Sequence, residues 1–185
     1  MPGDPTGRGD HAVQYEPVFD PAGPVLGIDP GVSRCGYGAV VREAGRLRAV
    51  AAGVIRTSPS APLPERLLVL DRELGSLIAQ IAPSTVAVER VLFQANVRTA
   101  MSVGQASGVA LVIAARERVP VVQYSPNEVK LAVTGDGRAD KIAVQTMITR
   151  LLGLREVPKP PDAADALALA CCHHGRARMV ERIPS

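Results

Sequence analysis

Apolar residues come in short continuous runs at two places along this chain, and each run ends on an acid. VLGID (25–29) closes on Asp29 ahead of Pro30-Gly31, and TVAVE (85–89) closes on Glu89. Brief unbroken apolar runs bounded by turn residues read as strands buried on both faces. Between them, GYGAVVRE (36–43) turns at Ala44-Gly45 into RLRAVAAGVIRT (46–57). So short a connection favours antiparallel pairing, and the chain is expected to open with a three-strand meander. From Pro64 the period changes: Leu67, Leu68, Leu70, Leu74, Leu77, Ile78 and Ile81 recur at helical spacing until Pro83. A helix there acts as a crossover, which makes TVAVE a parallel neighbour of an earlier strand.

The polar stretch ERVLFQANVR then leads to a helix from about Thr99 to Arg118, with small residues at Gly104, Ser107, Gly108 and Ala110. Such a stripe permits close backbone approach, either to the sheet or to a second subunit. From these residues alone, packing onto the sheet is the simpler reading. VPVVQY (119–124) is the last strand. Ser125-Pro126-Asn127-Glu128 has the capping-box pattern, with Ser at the cap, Pro at the first helical position and Glu three residues after Ser. Helices are predicted at about 126–132 and 140–152, separated by the loop TGDGRA. Pro158, Pro160 and Pro161 exclude helix before Asp162, and the last helix is expected to run to about His174.

Composition adds limits. A chain of 185 residues with 46% apolar content can bury one core, so one folded domain is expected over 25–174. Residues 1–24 are Gly/Pro-rich, lack periodicity and set Asp4, Asp10, Glu16 and Asp20 against Arg8. That is the composition of a disordered N-terminal extension, and 175–185 reads as a C-terminal tail. No apolar run reaches the roughly 18 residues of a membrane span and no leader-like segment stands out, so a soluble, cytoplasmic protein is expected. Because the extension is acidic, the body is more basic than the whole chain's +3, a mild pointer to a polyanionic partner. Cys35, Cys171 and Cys172 are odd in number and lack paired metal spacing, so reduced thiols are expected. The run Cys171-Cys172-His173-His174 is a poor zinc site, since adjacent helical residues splay by about 100°.

The candidate chemistry rests on the acids. Asp162 and Asp165 are three apart and share one helix face. As ordinary first-turn aspartates they would be worth a few tenths of a kcal/mol each against the helix dipole. Asp29 and Glu89 stand at strand ends, the sheet rim where ligands bind in α/β folds. Two like charges about 4 Å apart repel by several kcal/mol at an effective dielectric near 20, so four converging carboxylates call for divalent cations. Oxygen-only ligands select Mg²⁺ or Mn²⁺ over zinc, and paired ions would clamp the attacking water and the leaving oxygen of a phosphodiester. Arg98, Lys130, Arg138 and Lys141 fall in loops or at helix starts near this proposed cleft. Phosphate contact and plain solvated charge are both open for them on the residues alone. Serine or cysteine nucleophile chemistry lacks a partnered base, because His11 is in the extension and His173 and His174 lie late in the last helix.

Five ordered segments, GIDPGVSRCGYG, VAVERVLFQAN, VGQASGVAL, VKLAVTGDGRADK and PDAADALALA, closely resemble the RuvC family of Holliday-junction resolvases over about residues 25 to 174. The resemblance implies an α/β, ribonuclease H-like fold: a mixed five-stranded sheet, its first three strands antiparallel, flanked by helices. It implies an endonuclease making symmetric metal-dependent nicks in opposed strands of a four-way DNA junction, in homologous recombination and DNA repair. Mg²⁺, with Mn²⁺ able to substitute, is the implied cofactor, at two ions per site. A homodimer, with Gly104 and Gly108 at the contact, and a RuvA–RuvB branch-migration complex are the implied protein partners. The family's acids carry over as Asp29, Glu89, Asp162 and Asp165, and its lysines near the DNA as Lys130 and Lys141. One departure is evident: where the family often has a stacking aromatic three residues after the catalytic Glu, this chain has Leu92, and Phe93 follows. Phe93 is therefore the candidate wedge. The GIDPG turn also resembles the phosphate loop of sugar-kinase and actin-like ATPases, but those need a second Gly-rich phosphate loop and a much longer chain. An inactive DNA-binding relative would have no need of all four acids.

Overall fold

The computed structural model describes residues 23–91 and 97–180. Five strands form one sheet: β1 (Val25–Asp29), β2 (Arg34–Glu43), β3 (Arg46–Arg56), β4 (Thr85–Glu89) and β5 (Val121–Tyr124), in the order β3-β2-β1-β4-β5. β1, β2 and β3 pair antiparallel, while β4 is parallel to both β1 and β5. The expected meander and the parallel crossover strand are both present. Helix α1 (Leu63–Ile81) makes that crossover and buries Leu70, Leu74 and Ile78 at helical spacing. Its carboxyl end closes in a left-handed Ala82, one residue before Pro83.

The alternation within each strand sorts side chains between two cores. Leu26, Ile28, Val86 and Val88 face α1 and α2 (Val97–Arg116). Val25, Val40, Ala87 and Tyr124 face the other layer, made of α3 (Pro126–Thr134), α4 (Lys141–Leu151) and α5 (Pro161–Val180). By the same period of two, Asp29 and Glu89 fall on the α5 side of the sheet. Among the described residues, no helix is long and apolar enough to cross a membrane.

Both ends of α2 and both ends of α5 differ from the sequence expectation. α2 starts at Val97 and ends at Arg116 rather than spanning 99–118. α5 begins at Pro161, one residue before the proposed limit, because the first helical position needs no N–H donor and suits proline's fixed φ. It also continues past His174 to Val180, so Gly175 lowers helix propensity without ending the helix. The small-residue stripe of α2 divides in two. Ser107 and Ala110 are buried toward the sheet, whereas a Cβ built on Gly104 or Gly108 would meet nothing within 4 Å. Met101 and Val112, 59% and 62% exposed, continue that outer face.

What positions the functional end of the molecule is a seam between α5 and the β1–β2 pair. Gly27 and Gly38 are register partners, and so are Asp29 and Gly36. A Cβ on Gly27 would lie 1.9 Å from the carbonyl oxygen of Ala166, and one on Gly36 would lie 2.2 Å from that of Asp162. Alanines on the helix side, Ala163, Ala166 and Ala170, are all buried in this seam. No side chain separates helix from sheet there. Overpacking of this kind typically costs 1–3 kcal/mol, and backbone carbonyls have little room to yield. Gly27→Val is therefore expected to lower unfolding free energy by about 3 kcal/mol in urea denaturation, against under ~1 kcal/mol for a substitution at the open Gly104 position.

Candidate active site

Each acid is delivered by a different constraint. β1 and β4 run parallel and in register from Val25↔Thr85 to Ile28↔Val88, which leaves Asp29 and Glu89 side by side at their carboxyl ends. Asp162 is in the first turn of α5, directly over Gly36, the register partner of Asp29. Asp165 follows one turn later on the same face.

The electrostatics follow from that crowding. Asp29 and Glu89 are partly buried and hydrogen-bonded to one another. Burial, followed by the fields of Glu89, Asp165 and Asp162, pushes the Asp29 carboxyl up to about 8, and Lys141 opposes this only in part. Glu89 is also raised, by burial and by Asp165, while its hydrogen bond with Asp29 works the other way. The pair thus tends to keep a proton near neutral pH. The other two acids are held by cations: Lys141 Nζ donates to Asp165 Oδ2 at 2.7 Å, and the Arg34 guanidinium pairs with Asp162. The contact with Asp165 raises the Lys141 ammonium above its ordinary value.

A cavity of about 290 Å³ opens on this group, lined by Asp29, Glu89, Asp165, Lys130 and Lys141 together with Pro126, Val129, Val144, Ala168 and Leu169. Its lysines come from two helix starts that the sequence marks clearly. Ser125 caps α3 by accepting from the Glu128 amide, while Glu128 Oε2 accepts from the Ser125 amide at 2.8 Å. Lys130 lies one turn along that helix. Asp140 caps α4 by accepting from Ala143 N at 2.7 Å, which makes Lys141 its first residue. Glu128 further binds Arg176 at 3.0 Å, tying α3 to α5.

Of the other sequence candidates, Arg138 is exposed in the α3–α4 loop and does not line the cavity. Phe93 lies outside the described residues, as do the Arg98 side chain and the extension through residue 22. The Cys-Cys-His-His run makes separate contacts: His173 Nδ1 meets the Tyr124 hydroxyl at 2.8 Å, and His174 Nε2 the Val40 carbonyl at 3.0 Å. Burial lowers His173 to about 4. Two residues escaped sequence reasoning. Arg34 starts the strand that returns past Asp29, a position legible from the hairpin register; Arg176 falls in the part of α5 that was read as tail.

All four acids offer only oxygen, the donor set of Mg²⁺, Mn²⁺ or Ca²⁺ rather than zinc. As they stand, no three His, Cys, Asp or Glu side chains among the described residues are gathered closely enough to hold an ion. Asp162 and Asp165 are instead drawn to Arg34 and Lys141. The residues nonetheless fit a divalent cation: the burial and, after it, the like-charge repulsion that favour a proton on Asp29 are what such a charge would offset. The sign of the pH effect follows. With its folded value raised above the unfolded 3.8, Asp29 binds more protons in the native state between pH 4 and 8. Stability from this group is complete below about pH 4 and is lost as pH rises toward 8. In EDTA, the melting temperature of Asp29→Asn relative to wild type should climb from pH 5 to pH 8.5. A difference that stays flat would contradict the crowded-carboxylate account.

Comparison with known proteins gives one consistent result. The family model described as "Crossover junction endodeoxyribonuclease RuvC" matches residues 25–173. A protein of that description from Salinispora arenicola is 57% identical over 150 residues, covering 80% of this chain and 86% of its own. One from Streptomyces griseus is 54% identical over 160 residues, covering 86% and 78%. Among solved structures, Thermus thermophilus RuvC in complex with a Holliday junction substrate superposes with a TM-score of 0.81 at 40% identity, covering 85% of this chain and 96% of that one. The yeast mitochondrial Holliday junction resolvase Ydc2, at TM-score 0.61 and 13% identity over 85% of this chain and 81% of its own, shares the fold.

Proposed function

The chain belongs to the RuvC family of crossover junction endodeoxyribonucleases, a family of metal-dependent nucleases, and we propose that its carboxylate cleft is where it cuts four-way DNA junctions. The observation that carries this assignment of the site is the meeting of strand-end Asp29 and Glu89 with Asp165 of α5 beside two lysines in one open cavity, with Asp162 close enough for its charge to act on Asp29. Such a junction arises when two duplexes exchange strands, so the activity serves homologous recombination and repair.

Asp29, Glu89, Asp162 and Asp165 are the residues that would hold the metal, Mg²⁺ or in its place Mn²⁺, at two ions per site. Bound there, the ions would supply Lewis-acid polarisation of the phosphodiester and an activated water. The protein's own groups set the rest. The raised proton affinity of Asp29 and Glu89 makes the empty cleft closer to neutral, which lessens its repulsion of an incoming phosphate. Lys141, fixed at the first residue of α4 and paired with Asp165, lines the cavity where its charge would face a bound phosphate. Lys130 reaches the same cavity from α3. A cation held at that place offsets charge building on the leaving oxygen, which is stabilisation specific to the transition state. Phe93 is the candidate aromatic that parts base pairs at the junction centre; Arg98 and, outside the cavity, Arg138 are candidate phosphate contacts.

Two opposed nicks in a two-fold junction call for two opposed sites, and a two-fold dimer supplies them. The outer face of α2, with Met101, Gly104, Gly108 and Val112, suits a close helix contact with a second copy. We assign the folded domain to about residue 25 through the end of α5 at Val180, a cytoplasmic setting, and a branch-migration complex of the RuvA–RuvB type as the machine that presents the junction.

The deciding experiment is cleavage of a synthetic four-way junction against a matched duplex, with Mg²⁺ and with Mn²⁺. Paired symmetric nicks confined to the junction are expected; equal cutting of duplex would refute the reading. In single-turnover form the same assay separates roles. Asp29→Asn should cut below a tenth of the wild-type rate while binding the junction normally. Lys130→Ala and Lys141→Ala should slow cleavage at saturating DNA, and rates within about twofold of wild type would return both lysines to simple phosphate holding. Gly108→Leu should yield monomers by light scattering that remain folded, because among the described residues nothing lies within 4 Å of a Cβ there. A dimer that survives this change would place the interface elsewhere.

A further inference from the structure

We propose that Arg34, Arg56 and Arg66 form a phosphate-binding strip for one arm of the DNA, on the β2–β3 side of the cleft. The proposal rests on the junction-cutting function above and adds a binding surface that lies away from Lys130 and Lys141. Those lysines follow β5, at the other end of the strand order. The strip begins at the centre itself, since Arg34 touches Asp162. Arg56 is the register partner of Arg34 on β3. The next residues, Ser33 and Thr57, hold the third arginine: Arg66 Nε donates to Thr57 Oγ1 at 2.9 Å and its Nη2 donates to Ser33 Oγ. The Thr57 amide donates to the Ser33 carbonyl at 3.2 Å, so the two anchor points are themselves joined.

The charge balance of this strip is what points to an anion. Arg66 is fixed by two neutral hydroxyls, which orient its guanidinium without neutralising it. Among the described residues, Arg56 makes no ion pair or hydrogen bond, and Arg34 has Asp162 alone. Asp162 is also a candidate metal ligand, so Arg34 is freed when a cation takes that carboxylate. Arg34 is favoured by its pair with Asp162, but local electrostatics do not favour Arg56 or Arg66 where they stand. Like charges directly opposite on neighbouring strands are destabilising, and a cation in the first turn of a helix, as Arg66 is in α1, faces the positive end of the dipole. A surface that gathers cations against such penalties beside a nuclease centre is matched by a string of phosphates. A planar guanidinium already held in place loses less freedom on binding one. A purely structural clamp between β2 and β3 would need the hydrogen bonds of Arg66, but would have no use for an unpaired Arg56 beside Arg34.

The test is binding of a fluorescent four-way junction to the full-length protein in EDTA, by anisotropy, over a salt series. Arg56→Gln is the cleanest variant because its side chain supports nothing else described. It should weaken binding several-fold at fixed salt and make the slope of log K against log salt shallower by about 0.9, one released counterion. Arg66→Gln should do the same, and Arg56→Lys should restore the wild-type slope. Slopes and affinities of Arg56→Gln and Arg66→Gln that match wild type would overturn the strip while leaving the nuclease reading intact. A lower melting temperature for Arg66→Gln with an unchanged slope would mark a clamp and likewise overturn it. A wild type with no junction preference would sink both readings together.

Discussion

The close approach of α5 to the β1–β2 pair is the constraint on which the site depends. Gly27, Gly36 and Gly38 leave no side chain between strand and helix, and Ala163, Ala166 and Ala170 answer from the other side. This contact fixes both the depth and the axial position of α5. Since Asp162 lies over Gly36, and Gly36 is paired with Asp29, the separation of the two aspartates is set by backbone contact rather than by flexible side chains. A carboxylate centre needs that rigidity, because a metal-supporting geometry loses much of its effect for displacements on the order of an ångström.

Rigidity of this kind has an electrostatic consequence. Bringing four carboxylates to one rim raises the free energy of the protein without its ions, and the structure shows three ways in which the strain is met. The raised proton affinity of Asp29 and Glu89 favours a shared proton, Lys141 pairs with Asp165, and Arg34 pairs with Asp162. Each is reversible, so each can be exchanged for a divalent cation or a phosphate. The basic groups around the cleft are therefore held as counterions of the protein's own acids, and under the function proposed above they would turn to DNA.

Much of this was legible in the sequence because the strongest signals are local. Apolar runs closed by an acid gave strands with Asp29 and Glu89 at their ends, the two-residue turn gave the meander, and Ser125 with Glu128 gave the start of α3. The capping box is present as expected, and so is the mixed sheet. Helix limits were less legible: proline at the first position of α5 reads as an exclusion, and the expected end near His174 falls short, because propensity alone does not register the packing that carries α5 to Val180. The partners of the acids were not legible at all. Arg34 is 128 residues from Asp162, and only the folded register brings them together. The α2 stripe likewise needed three dimensions, since Ala110 is buried while Gly104 and Gly108, on the other side of the helix, are open.

The molecule is thus divided between two demands. Its two cores, on either face of the sheet, are built almost wholly of aliphatic side chains in register with strand and helix periods, and every level of pattern agrees there. At the carboxyl ends of β1 and β4 the agreement fails: acids are half-buried beside one another, and arginines stand opposite arginines. Such conflict persists only where the surrounding packing over-determines the conformation. The glycine seam provides that surplus, for it welds the one helix that carries two of the acids to the strand that carries a third. Stability made in the cores is what allows charge to be gathered at the rim, and the charge in turn sets the appetite of the site for cation and phosphate.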